Sequence, residues 1–166
     1  MKSFRVVFHV LWILVAALFL PTNAFGQDLP STKVLTFDVA QTMAEAAMAK
    51  CRADGHKIAV VVVDSLNALV VVLRDDGAVP GDIDLAKMKA TTAILFRTSS
   101  GDAYPTVEQA PSLRTVVPGT WNTAGGMPIN VGNYTIGAIA VAGGHGQGND
   151  AACANAGIAK VADKLK

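Results

Sequence analysis

The chain has 166 residues with 14 basic and 13 acidic side chains, a formal net charge of +1, and only 16% charged residues. Lysine and arginine are scattered along the chain, not clustered, which excludes the basic face a nucleic acid requires. Two cysteines and a length suited to one domain exclude both a disulfide-dense scaffold and a multidomain enzyme.

The N-terminus carries Lys2 and Arg5, then an apolar run from Val6 to Leu20 broken by His9, then Ala24-Phe25-Gly26 before Gln27. A positive start, a short apolar run and small residues at the −3 and −1 positions make a secretory signal. The run is shorter than the roughly 20 residues that span a bilayer. Residues 1–26 are therefore expected to be a cleavable signal peptide, with cleavage after Ala24 as the alternative, and residues 27–166 a single domain. The expected mature chain has 12 basic and 13 acidic residues, because Lys2 and Arg5 leave, and it has no membrane span. His9 leaves too, so His56 and His145 are its two histidines. A periplasmic or secreted location follows.

Thr36 is a plausible N-cap for a helix running to about Asp54, closed by Gly55. Phe37, Ala40, Ala44, Ala47, Met48 and Cys51 fall on one stripe of it. Lys57–Asp64 and Ala68–Arg74 are β-branched and separated by Ser65-Leu66-Asn67, a hairpin; their continuous valine runs predict cover on both faces. Asp75–Gly81 is a loop, and Gly81 or Asp82 opens a second helix to about Arg97. A looser stretch from Thr98 to Pro118 has room for a short helix around residues 112–117. Gly125–Asn130 and Tyr134–Gly143 form a second hairpin, and Asn149 or Asp150 caps a last helix to Leu165. Hairpins predominate over βαβ crossovers, so the fold class is α/β in the α+β sense, with a mainly antiparallel sheet flanked by helices.

Several residues carry candidate chemistry. His145 lies in Gly143-Gly144-His145-Gly146-Gln147-Gly148 between a strand end and a helix start, where backbone N–H groups approach a ligand closely and favour an anion. Its imidazole is a candidate iron ligand; the same loop also reads as a turn with an exposed histidine. Helical spacing places Lys89 beside Thr92 and Phe96 on an apolar face, with Lys87 opposite, so Lys89 either snorkels or meets an anion. Arg74 suits carboxylate recognition or pairs with Asp75 or Asp76. Asp64 reads as a turn-forming residue. His56 is a weak metal or heme candidate. Met127, Tyr104 and Trp121 are candidates to face a ligand or to pack in the core.

Cys51 and Cys153 in an exported chain suggest one disulfide closing a loop of about 100 residues. Against it, Cys153 sits off the stripe Ala154-Ile158-Val161-Leu165. No GxSxG, HExxH, CxxC or P-loop is present, and Ser99, Ser100 and Ser112 have no evident base. The second helix has a further apolar side (Ile83, Ala86, Ala90, Ile94) and the last helix is rich in small residues, both suited to packing between subunits of a homo-oligomer.

Ala59–Asp64, Arg74-Asp75-Asp76-Gly77-Ala78, Lys89-Ala90, Gly125–Ile129, Ile136–Gly143 and Asp150, in that order, make the chain resemble the GlcG/HbpS family of small heme-binding domains. The resemblance spans residues 35–166. It implies a profilin-like antiparallel sheet of about five strands flanked by helices, homo-oligomers, and heme or a related small ligand. Two functions are then expected: exported heme binding for storage, carriage or protection, or binding of a small anionic metabolite such as a hydroxy acid. The candidate ligand-binding set is Arg74, Lys89, Met127, Gly144, His145 and Gly146, with His145, and more weakly His56, toward iron. Catalysis is the third and weakest expectation.

Overall fold

The computed structural model describes residues 32–103, 109, 119–145 and 148–166. The expected signal peptide, the short helix around residues 112–117, Tyr104, Ser112 and Gly146 lie outside them.

The first hairpin forms where the valine runs place it. Strand β1 (Ala59–Asp64) pairs antiparallel with β2 (Leu69–Arg74). The Asp64 carboxylate accepts the Leu66 and Ala68 N–H groups, both at 2.9 Å, which is the turn role its position suggested. The second hairpin is β3 (Gly126–Val131) and β4 (Tyr134–Ala142). β4 also pairs antiparallel with β1, giving the sheet order β2-β1-β4-β3. The architecture is mixed α/β with an antiparallel sheet. It has four strands among the described residues, where about five were expected.

Each face of the sheet takes a different helix set, and the side-chain sizes explain which. Helix α1 (Phe37–Ala53) and helix α3 (Asn149–Lys160) pack on the face carrying Val60, Val62, Ile129, Ile139 and Val141. Helix α2 (Gly81–Phe96) covers the other face, where Ala86, Ala90 and Ala93 meet Val61, Val63, Ala138, Ala140 and Ala142. Alanine against alanine lets α2 settle close to the sheet. A Cβ added at Gly126 would come within 2.3 Å of the Lys89 carbonyl oxygen, so only glycine fits there. Strand β1 is thus buried on both sides, and each of Val60–Val63 contributes about 1.5–3 kcal/mol of burial.

β2 departs from that expectation. It is an edge strand, and Leu69 and Val72 remain 56% and 40% exposed, because α2 spans β1, β4 and β3 but does not reach it. Phe37 is also outside the core at 58% exposure; Met43 joins the α1 stripe instead. The side of α2 bearing Ile83, Ala86, Ala90 and Ile94 packs on the sheet of its own chain, so that stripe is not left over for a second subunit.

Helix α3 stops at Lys160, and a short 3-10 turn (Ala162–Lys164) replaces the last turn expected of it. Its buried face is wider than the expected stripe: Cys153, Ala154 and Gly157 all turn inward. That width resolves the objection to the disulfide. Cys51 and Cys153 are bonded, both fully buried, with Cα atoms 5.6 Å apart and a separation of 102 positions in sequence. By loop-closure entropy the bond is worth about 4–5 kcal/mol. It fastens α3 to α1 one turn beyond the start of α3.

After β2, Asp75 is 3% exposed and accepts hydrogen bonds from Arg52 at 2.9 Å and from the Asp76 N–H at 2.8 Å, with the Lys57 ammonium 3.7 Å away. Arg52, not Arg74, is therefore its partner. The Arg52 hydrogen bond, helped by the Asp76 N–H and the two nearby positive charges, outweighs burial and holds the Asp75 carboxyl below its usual range. A carboxylate depressed in the folded state adds stability that is present above its unfolded value, about 3.9, and lost as pH falls through the lower folded one. In acid titration of stability, Asp75→Asn should therefore flatten the loss below about pH 4. An unchanged acid limb would show that Asp75 does not contribute to it.

Candidate functional site

At one end of the sheet, where β4 runs into α3, a cavity of about 790 Å³ opens between the start of α2, the segment leading into β3 and the β4–α3 loop. That is within the range of sites that take a cofactor-sized molecule.

Lys89 is the charged residue at its base. It is 2% exposed, and its ammonium donates to an Asp150 carboxylate oxygen at 2.6 Å and to the Val141 carbonyl at 3.1 Å. Of snorkelling and meeting an anion, Lys89 therefore does the second, and the chain itself supplies the anion. The second Asp150 oxygen accepts the Gly144 N–H at 2.8 Å, so one carboxylate links α2, the end of β4 and the first turn of α3. Its negative charge also complements the positive end of the α3 dipole. Gly125, at φ +131°, makes room for the pair: a Cβ there would lie 2.7 Å from the Asp150 Cβ and 3.0 Å from the Lys89 ammonium.

One wall is the segment before β3, fastened by two fully buried hydroxyls, one on α2 and one in the turn that follows it. Thr92 accepts the Trp121 N–H at 2.8 Å and lies 3.1 Å from the Trp121 carbonyl oxygen. Ser100 accepts the Gly126 N–H at 2.9 Å and donates to the Thr123 carbonyl at 2.6 Å. Neither role was legible as chemistry; the usable signal was a small hydroxyl residue on a face that packs. Trp121 lines the cavity with its side chain 46% exposed.

The other wall is the β4–α3 loop. His145 lines the cavity, is exposed, and holds φ at +40°, a left-handed conformation in which a non-glycine residue is uncommon. The Asn149 side-chain amide keeps it there by donating to the Gly144 carbonyl at 2.9 Å and the His145 carbonyl at 3.2 Å. Asp82, which donates its backbone N–H to Val79 and accepts the Val79 N–H at 3.2 Å, contributes a further carboxylate to the lining.

The cavity thus brings together Lys89, His145 and Trp121, with Gly144 directly behind. The remaining candidates lie elsewhere. Arg74 is exposed on the edge strand, donates to the Ala78 carbonyl at 2.8 Å, and borders a smaller hollow of about 220 Å³ with Glu45 and Arg52. Met127 points to the opposite face of the sheet, into the core under α1 and α3, because alternate residues of β3 face opposite ways. His56 is half-buried in the α1–β1 turn. Among the described residues, no group of three or more histidine, cysteine, aspartate or glutamate side chains is placed to hold a metal ion.

Removing one partner of a buried ion pair leaves the other uncompensated. Asp150→Asn or Lys89→Met alone should cost about 3–5 kcal/mol in denaturant unfolding, and the apolar double replacement Lys89→Met with Asp150→Leu less than either. A single substitution costing under about 1 kcal/mol would show the pair to be solvated.

A profile of the haem-degrading HbpS-like proteins matches residues 35–159. Among solved structures, a double mutant of HbpS from Streptomyces reticuli is 35% identical with a TM-score of 0.75, covering 84% of this chain and 95% of that one. Protein ORFY of Klebsiella pneumoniae has the same fold at 21% identity and a TM-score of 0.75, covering 84% and 98%. PduOC, solved as a complex with heme, has it at 20% identity and a TM-score of 0.71, covering 77% and 95%. None of the curated proteins matches. By profile, identity and fold together, the chain belongs to the HbpS-like family of haem-degrading proteins.

Proposed function

We propose that this protein is an exported heme-binding protein that would hold heme in the cavity at the end of the sheet, with His145 as the residue that would bind its iron and Trp121 as a wall. The observation that carries the reading is the backbone of His145. Its neighbours in the loop are glycines, and its φ of +40° is one that glycine adopts without strain. A histidine there, at a conformational cost of about 1 kcal/mol, presents an imidazole that glycine would not. That side chain lines a cavity of suitable volume that an indole also lines, and neutral imidazole is a standard nitrogen ligand for heme iron. The donor set therefore fits the group that the family description points to. When bound, heme would supply an iron centre for small-ligand or redox chemistry; the chain's part is to hold and orient it.

Export is supported by the N-terminal signal pattern together with the Cys51–Cys153 bond, since persistent disulfides belong to oxidising compartments. The hydroxy-acid alternative is weakened on two counts, because Arg74 is not in the lining and Lys89 is already paired.

Titration with hemin should give a saturable Soret shift in the parent protein. His145→Ala and His145→Gly should both weaken binding at least about tenfold. The glycine variant should unfold at the parent's temperature or above it, since it removes the strained φ. Undiminished binding by both variants would exclude His145 as the ligand, and no saturable shift in the parent would exclude the function. Intact mass of the protein recovered outside the cytoplasm should begin at Gln27 and rise by the mass of two hydrogens on reduction; an uncleaved or unbonded species there would refute the export reading.

A further inference from the structure

The charges around the cavity constrain how its ligand enters. Among the described lining residues the carboxylates of Asp82 and Asp150 face one ammonium, that of Lys89. That ammonium is engaged twice, by Asp150 at 2.6 Å and by the Val141 carbonyl at 3.1 Å. It is 2% exposed, and Gly125 packs so close that an added Cβ would lie 3.0 Å from it. An incoming carboxylate would compete for Lys89 with Asp150, which also holds the Gly144 N–H and with it the His145 loop. Asp82 has a backbone N–H as its partner and leaves one negative charge in the lining that Lys89 does not balance. Among the described lining residues, an anion in the cavity therefore meets two carboxylates and one ammonium that is already paired.

We propose that the cavity selects a ligand by an uncharged or cationic face and keeps the ligand's carboxylates outside. This rests on the heme reading and narrows it: His145 and Trp121 would hold the heme, and its propionates would be left to solvent. Lys89 is then a framework residue of the site and not its propionate anchor, and small hydroxy acids are excluded by charge.

The test uses the purified protein with three probes: hemin, hemin dimethyl ester in which both propionates are blocked, and glycolate. Hemin and its diester, added from the same organic stock, should bind with dissociation constants within about threefold of each other. Glycolate at millimolar concentration should neither raise the melting temperature nor compete with hemin. A diester at least about tenfold weaker than hemin would overturn the proposal, because a protein cation would then be holding a propionate. Stabilisation or competition by glycolate would overturn it as well. If neither heme form binds to the folded protein, it is the heme reading itself that fails, a result distinct from unequal binding of the two.

Discussion

The structure depends most on the buried ion pair between Lys89 and Asp150. Two opposite charges removed from water are tolerated only when the remaining donors and acceptors are matched, and here they are: the ammonium also has the Val141 carbonyl, the carboxylate also has the Gly144 N–H. Because the partners come from α2 and α3, which lie on opposite faces of the sheet, the pair reaches around the end of β4 and ties the two layers together. The neighbouring glycines follow from it. Gly125 and Gly126 are places where a single methyl group would collide with this pair or with the helix backbone that carries it.

That tie produces the cavity. Alanine packing draws α2 against the sheet, Thr92 and Ser100 bind the Trp121–Gly126 segment down beside it, and Asp150 with Asn149 holds the His145 loop on the far side. The disulfide three residues beyond Asp150 fixes the start of α3 to α1. The walls of the site are thus set by buried polar groups, while the hydrophobic faces set only the thickness of the layers. A polar network of this kind is specific because an unsatisfied member is costly.

Much of the fold was legible. The valine runs, the short turns and the helix ends at Gly55 and Arg97 lie within a residue or so of where periodicity and turn chemistry placed them. The HbpS-like pattern was legible in the same way, since its Lys-Ala, Gly-Gly-Met-Pro-Ile and Asp150 elements are the parts of one packed assembly that must each be present. What was illegible was the partner of each polar group. Lys89 on an apolar face left snorkelling or an anion open, and nothing local said that Asp150, 61 residues away, would supply one. Arg74 stood next to two aspartates, yet Arg52 reached Asp75 from α1. Met127 sat in the motif, yet the pleat turned it into the core.

By itself, then, the sequence determined the order of elements, the antiparallel hairpins, the loop that presents His145 and the family to which the chain belongs, because periodicity, turn residues and glycine spacing are local properties. Only the tertiary structure decided which charges are already spent, that Cys153 turns inward to meet Cys51, and that the α2 alanine face belongs to the sheet and not to another subunit. Those outcomes depend on which surfaces meet across the sheet. Pairing energies of buried charges and close-packed small residues exist only once two distant segments are brought within contact distance.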